Sequence, residues 1–141
     1  MPRQSLKSVE ECYRGANVRV FRLDRSGIIE RLRKRARTLV TSDPTVIEVR
    51  LFGSLARGEG SPGSDADLFV LLDDSACAAF LERIPPLLRH FAGVGIGCDM
   101  IAYTRSEYAA AAERGDRLIR ELEHDAVVLV SAERAAADRR D

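Results

Sequence analysis

Cysteine is scarce in this sequence, histidine scarcer still, and no apolar run is long. The three cysteines, Cys12, Cys77 and Cys98, are too scattered for a disulfide framework. No C-x-x-C pair or Cys/His cluster points to zinc. Each cysteine reads as a small, partly buried apolar residue in a reducing compartment, so the expected location is the cytoplasm. His90 and His124 have no acidic or nucleophilic neighbour in a recognisable arrangement. No apolar run approaches the ~18 residues that cross a bilayer, and the longest candidate, 66–72, already contains Asp67. The opening Met1-Pro2-Arg3-Gln4-Ser5 has neither an apolar stretch nor a small-residue cleavage site, so no secretion signal and no membrane partner are expected. No internal repeat is visible. Aromatic residues do not interleave with the basic ones, so nucleic acid is not an expected partner.

What is there is ordinary globular composition. Of 141 residues, 45% are apolar and 31% charged, which implies one domain with its own core rather than a disordered chain. Basic and acidic side chains balance at 22 each, yet they are unevenly placed. Residues 1–37 carry 11 basic and 4 acidic groups, and the remainder carries 11 and 18. The basic start either steers an anion such as a nucleotide or forms a solvated helix face.

The chain divides into a flexible lead-in (1–17), a folded domain (18–131) and a frayed tail (132–141). Residues 18–23 read as a short edge strand. Ser26 is placed to cap a helix to about Val40, with Ile28, Leu32, Ala36 and Val40 repeating every four residues beside Ile29 and Leu39. Residues 46–52 are β-branched and strand-like and stop at Gly53-Ser54, where a short helix could begin; 58–64 form a Gly/Ser/Pro-rich loop, and 65–72 are a second strand. Ser75 reads as the cap of a helix that Pro85-Pro86 breaks or restarts. Residues 98–103 are a third strand, Thr104-x-x-Glu107 is a capping-box pattern, Gly115 interrupts the helix that follows, and 127–130 are a terminal strand. Strands alternating with helices predict an α/β or α+β domain with one main mixed sheet.

Residues 51–70 carry the chemistry. A strand ends at Gly53, where the missing side chain lets a phosphate approach the backbone, and Ser54 adds a hydroxyl. Asp65 and Asp67 then stand two apart on a strand, so both carboxylates point to one face. Neighbouring anions repel, and a divalent cation held by hard oxygen ligands, Mg²⁺ above all, is the usual remedy. A third acid, Asp99, opens another apolar strand. If that strand lies beside Asp65–Asp67, three acids converge and two metals can be held, with Asp99 either a ligand of the second or the base for an attacking hydroxyl. Arg57 is open to two readings, a phosphate contact or an ion pair with Glu59. Ser64 is a further candidate at the nucleotide. Two apparent phosphate loops are rejected: 53–60 lacks the required Lys and Ser/Thr, and 93–98 ends in Cys98 instead of Gly.

Gly53-Ser54, ten intervening residues and Asp65-Ala66-Asp67 resemble the signature of the nucleotidyltransferase superfamily of DNA polymerase β, in its minimal nucleotidyltransferase branch, with Asp99 matching the common third acid. The resemblance spans roughly residues 20–130. It implies a polymerase-β-like fold with a mixed sheet flanked by helices. It also implies transfer of a nucleotidyl group from a nucleoside triphosphate, such as AMP from ATP. Gly53 and Ser54 would meet the triphosphate, and Asp65, Asp67 and Asp99 would hold Mg²⁺. Small members of this branch often pair with a HEPN-domain toxin and act as antitoxins that add AMP to a hydroxyl of that partner. The chain lacks the second helical domain of larger relatives, so its acceptor site is expected to come from a partner or a second copy, in a hetero-oligomer or homodimer. Two alternatives compete. One is a non-catalytic antitoxin that occludes its partner's surface through the basic helix (Arg31, Arg33, Lys34, Arg35, Arg37) or the edge at 127–130. The other is a nucleotidyltransferase acting on a small molecule.

Overall fold

The computed structural model describes residues 9–15, 19–76 and 78–132. The first eight residues, residues 16–18, Cys77 and the expected tail beyond residue 132 therefore lie outside the described residues. Part of the expected lead-in is ordered as strand. β1 (Val9–Arg14) pairs antiparallel with β2 (Arg19–Leu23), its neighbour in the chain, as a separate two-stranded unit that no clear apolar period announces.

α1 (Arg25–Ser42) buries Ile28, Ile29, Leu32, Ala36, Leu39 and Val40, the stripe its sequence spells out. Its cap is Asp24, not Ser26: the Asp24 carboxylate accepts a hydrogen bond from the Gly27 N–H. A Cβ at Gly27 would overlap that carboxylate, so a larger residue there would have to displace the cap. β3 (Val46–Phe52) leads into a single helical turn, α2 (Gly53–Ala56), and β4 (Ala66–Leu72) returns antiparallel to β3. Ser75 caps no helix. Its N–H is taken by the Asp73 carboxylate in a local turn. The next helix is the short α3 (Ile84–Leu88), with Pro85 and Pro86 in its first turn, where a missing N–H costs nothing. β5 (Cys98–Thr104) follows and pairs parallel with β4. α4 (Arg105–Glu113) opens on the expected capping box, Thr104 accepting from the Glu107 N–H and Glu107 from the Thr104 N–H. Gly115, with φ +68°, separates α4 from α5 (Arg117–His124), and β6 (Val127–Ser131) closes the sheet against β3.

The main sheet has order β5-β4-β3-β6, three antiparallel or parallel pairings in one mixed sheet, as expected. Both faces are covered. Ala66, Leu68, Val70 and Leu72 of β4 pack with α1 in the larger core. The alternate residues Phe69 and Leu71 pack with Ala111, Ile119 and Leu122 of α4 and α5. Tyr103 and Tyr108 are packing residues here, their rings 5.7 and 5.9 Å from that of Phe69. Among the described residues, no helix is long and apolar enough to cross a membrane.

Candidate active site

Strand register brings the acids together. Asp67 of β4 pairs directly with Asp99 of β5, and a parallel pairing puts both side chains on the same face. Asp65 stands two residues before Asp67 and shares its face. That face is the one covered by α4 and α5, and the acids occupy its open end. On the other side of β4, Asp67 pairs with Phe52, the last residue of β3. Gly53 therefore turns away immediately beside the Asp67 carboxylate, with φ +80°. A Cβ at Gly53 would overlap Asp67 Oδ2. Glycine is required here twice over, for the left-handed backbone and for the close approach.

The surroundings load Asp67 electrostatically. Burial first, then the charges of Asp99, Glu121 and Asp65, push its carboxyl above the ordinary value, while Arg57 pulls it down. None of Asp65, Asp67 and Asp99 forms a salt bridge among the described residues. The donor set is all oxygen and short of positive charge, which fits a hard divalent cation. In the conformation described, no three His, Cys, Asp or Glu side chains among the described residues close on a single point as a finished ligand cage. Cys98, the first residue of β5, stays a thiol: burial, then Asp65 and Asp99, push it up to about 11.

The remaining candidates separate. Ser54 lies inside α2, one residue beyond the corner, while Phe52 holds the cap position. Arg57 ends α2, and its guanidinium bonds both Glu59 and Glu121 at 3.0 Å, so the ion-pair reading describes it in this structure. Ser64 closes a turn of its own loop: its hydroxyl oxygen accepts from the Ser61 N–H at 3.0 Å.

Three neighbours escaped sequence reasoning. Glu121 of α5 reaches both Arg57 and the field at Asp67, and nothing local in the sequence links it to residue 67. Gly97 packs on Asp65, where a Cβ would come within 2.6 Å of Oδ1. Its position just before Cys98-Asp99 was the available signal. Arg25 donates to the Leu55 and Ala56 carbonyls at 2.9 and 2.8 Å, tying the free end of α2 to α1.

The family profile described as Nucleotidyltransferase domain matches residues 29–137. The chain belongs to that family. No curated protein sequence matches it. In fold, this nucleotidyltransferase domain is similar to a protein of Sulfolobus solfataricus assigned as a nucleotidyltransferase, with TM-score 0.57 and 20% identity over 77% of this chain and 85% of that one. It is also similar to a toxin–antitoxin structure containing AMP-PNP, with TM-score 0.51 and 19% identity over 70% of this chain and 73% of that one.

Proposed function

We propose that the chain is a divalent-cation-dependent nucleotidyltransferase that moves AMP from ATP to a hydroxyl on a partner protein, as the antitoxin of a HEPN-type toxin–antitoxin pair. The observation that carries the chemistry is the cross-strand pairing of Asp67 with Asp99 beside the Gly53 corner. The partner assignment draws on the resemblance of the Gly53–Asp67 signature to the minimal nucleotidyltransferases. A toxin–antitoxin neighbour in fold supports it.

In this reading the Gly53 and Ser54 backbone, together with the Ser54 hydroxyl, cradles the triphosphate. Asp65 and Asp67 would hold Mg²⁺, with Asp99 beside them. When bound, such a cation neutralises phosphate charge and acidifies a hydroxyl. Asp99 lies on the outer strand, where an acceptor hydroxyl can approach and pass it a proton. The hydroxyl oxygen bonds to the α-phosphorus, the bond from that phosphorus to its bridging oxygen breaks, and pyrophosphate leaves with the electron pair.

The test is incubation with labelled ATP, Mg²⁺ and the product of the neighbouring gene. Label transfer is expected to fall by about 10²-fold or more in Asp65→Asn plus Asp67→Asn, the several kcal/mol carried by such a site. Undiminished labelling by that variant would end the assignment. Neutralisation of the partner by the variant lacking all three acids would favour surface occlusion instead.

A further inference from the structure

A groove of about 570 Å³ opens beside the acids, bounded by Arg57, Arg117, Arg120, Glu121, His124 and Asp125. Arg117, Arg120 and His124 recur at steps of three and four along α5 and so share one helix face. Two lining residues tie the groove to the site. Arg57 ends the turn that starts at Gly53-Ser54, and Glu121 bonds Arg57 while adding its charge to the field at Asp67.

Positive charge in this groove is unevenly engaged. Arg57 is occupied by Glu59 and Glu121. Arg117 and Arg120 are exposed, and among the described residues neither forms a salt bridge or a side-chain hydrogen bond. Two uncommitted guanidiniums on one wall make an anion site, since each presents a planar fork that matches phosphate oxygens.

Strand order decides which part of the reaction the groove faces. Asp99 is on β5, Asp67 on β4, and Gly53-Ser54 end β3. α5 lies over β3, its Leu122 carbonyl accepting from Arg50 at 2.8 Å. The groove is therefore on the far side of the acids from Asp99, the acceptor side, and continues from the phosphate corner.

We infer that the groove is the pyrophosphate subsite, with Arg117 and Arg120 as its principal donors and Arg57 and His124 beside them. It rests on the nucleotidyl-transfer reading above. As the bond between the α-phosphorus and its bridging oxygen breaks, negative charge grows on the leaving pyrophosphate. Donors lining the groove stabilise that charge more than they stabilise bound triphosphate.

The probe is inorganic pyrophosphate, titrated calorimetrically into the full chain without divalent metal. Arg117→Gln plus Arg120→Gln is expected to weaken binding about 10-fold or more, the loss of one or more charge-assisted hydrogen bonds. The paired Lys replacements should restore much of it. Arg35→Gln plus Arg89→Gln removes the same charge from a separate basic pocket beside α1, on the opposite face of the sheet, and should change binding less than about twofold. In turnover assays the Arg117/Arg120 Gln pair should lower kcat and kcat/KM for ATP and weaken pyrophosphate inhibition, leaving KM for the acceptor unchanged.

Equal pyrophosphate affinity in that pair and the wild type would overturn the inference. So would no binding at all, an equal loss in the Arg35/Arg89 pair, or a rise in acceptor KM alone. The two readings fail separately. Binding through Arg117 and Arg120 by a chain that transfers no nucleotide would sink only the transfer reading. Transfer with pyrophosphate affinity indifferent to these arginines would sink only the subsite.

Discussion

The two parallel strands β4 and β5 begin and end among acids, and the two ends treat those acids oppositely. Where the strands end, each acid has a partner. Asp73 accepts from the Ser75 N–H and Asp74 from the Ser106 N–H and hydroxyl, which hold both carboxyls below the ordinary value. Glu107 is lowered by the hydrogen bond from Arg83, which reaches it at 2.6 Å, and by the Thr104 N–H. Where the strands begin, Asp67 is raised, and its neighbours are more acids. The same residue type on the same strands therefore serves two purposes. At one end carboxylates are structural glue. At the other the fold tolerates repulsion among Asp67, Asp99 and Asp65.

The comparison can be broken most forcefully at its satisfied end. Arg83 is buried at 8% exposure and also donates to the Ala102 and Ala78 carbonyls. Arg83→Met is expected to cost about 2–3 kcal/mol, since it strands partners in a half-buried setting, and urea midpoints would read the loss. The Glu107 part of that loss has a defined pH dependence. A carboxyl lowered in the folded state stabilises above its unfolded value near 4.5, and that stability disappears as pH falls through the folded value. Wild type and variant midpoints should therefore draw together in acid. A gap constant with pH would mean that the ion pair contributes nothing.

A smaller effect sharpens the functional end. Gly53→Ala places a Cβ on a φ of +80° and against Asp67, so about 1–2 kcal/mol of stability should be lost. Because the displaced group is the Asp67 carboxylate, transfer should fall more than stability alone explains. Activity per folded molecule, compared with the wild type, checks this.

The smallest change has the opposite sign. Asp67→Asn should stabilise the ligand-free fold near neutral pH, by about 2 °C in Tm, the size of a few tenths of a kcal/mol at a partly exposed site. A carboxyl raised in the folded state adds no penalty below its unfolded value of 3.8 and a growing one as pH rises through the folded value. The variant's advantage should therefore vanish in strong acid. Thermal scans at several pH values would show it, and a destabilised Asn variant at neutral pH would refute the charge-frustration account.

Much of this was legible beforehand because it is written in short-range patterns. The α1 stripe, the β3, β4 and β5 runs and the Thr104–Glu107 capping box each need only a few neighbouring residues to declare themselves. Caps were less legible: Ser26 and Ser75 looked suitable, yet Asp24 took the first helix and prolines opened the third. Both errors arise because a capping side chain is chosen by where the chain enters the helix, which packing sets.

By itself, the sequence determined that a glycine–serine corner precedes two same-face carboxylates by ten residues, since alternation along a strand is a local rule. Only the tertiary structure decided that Asp99 stands opposite Asp67, that Gly97 supports Asp65, and that Glu121 joins Arg57 to the acids. Those relations depend on parallel strand register and helix packing, which arise from the burial of two apolar faces at once and leave no signal between residues so far apart in the chain.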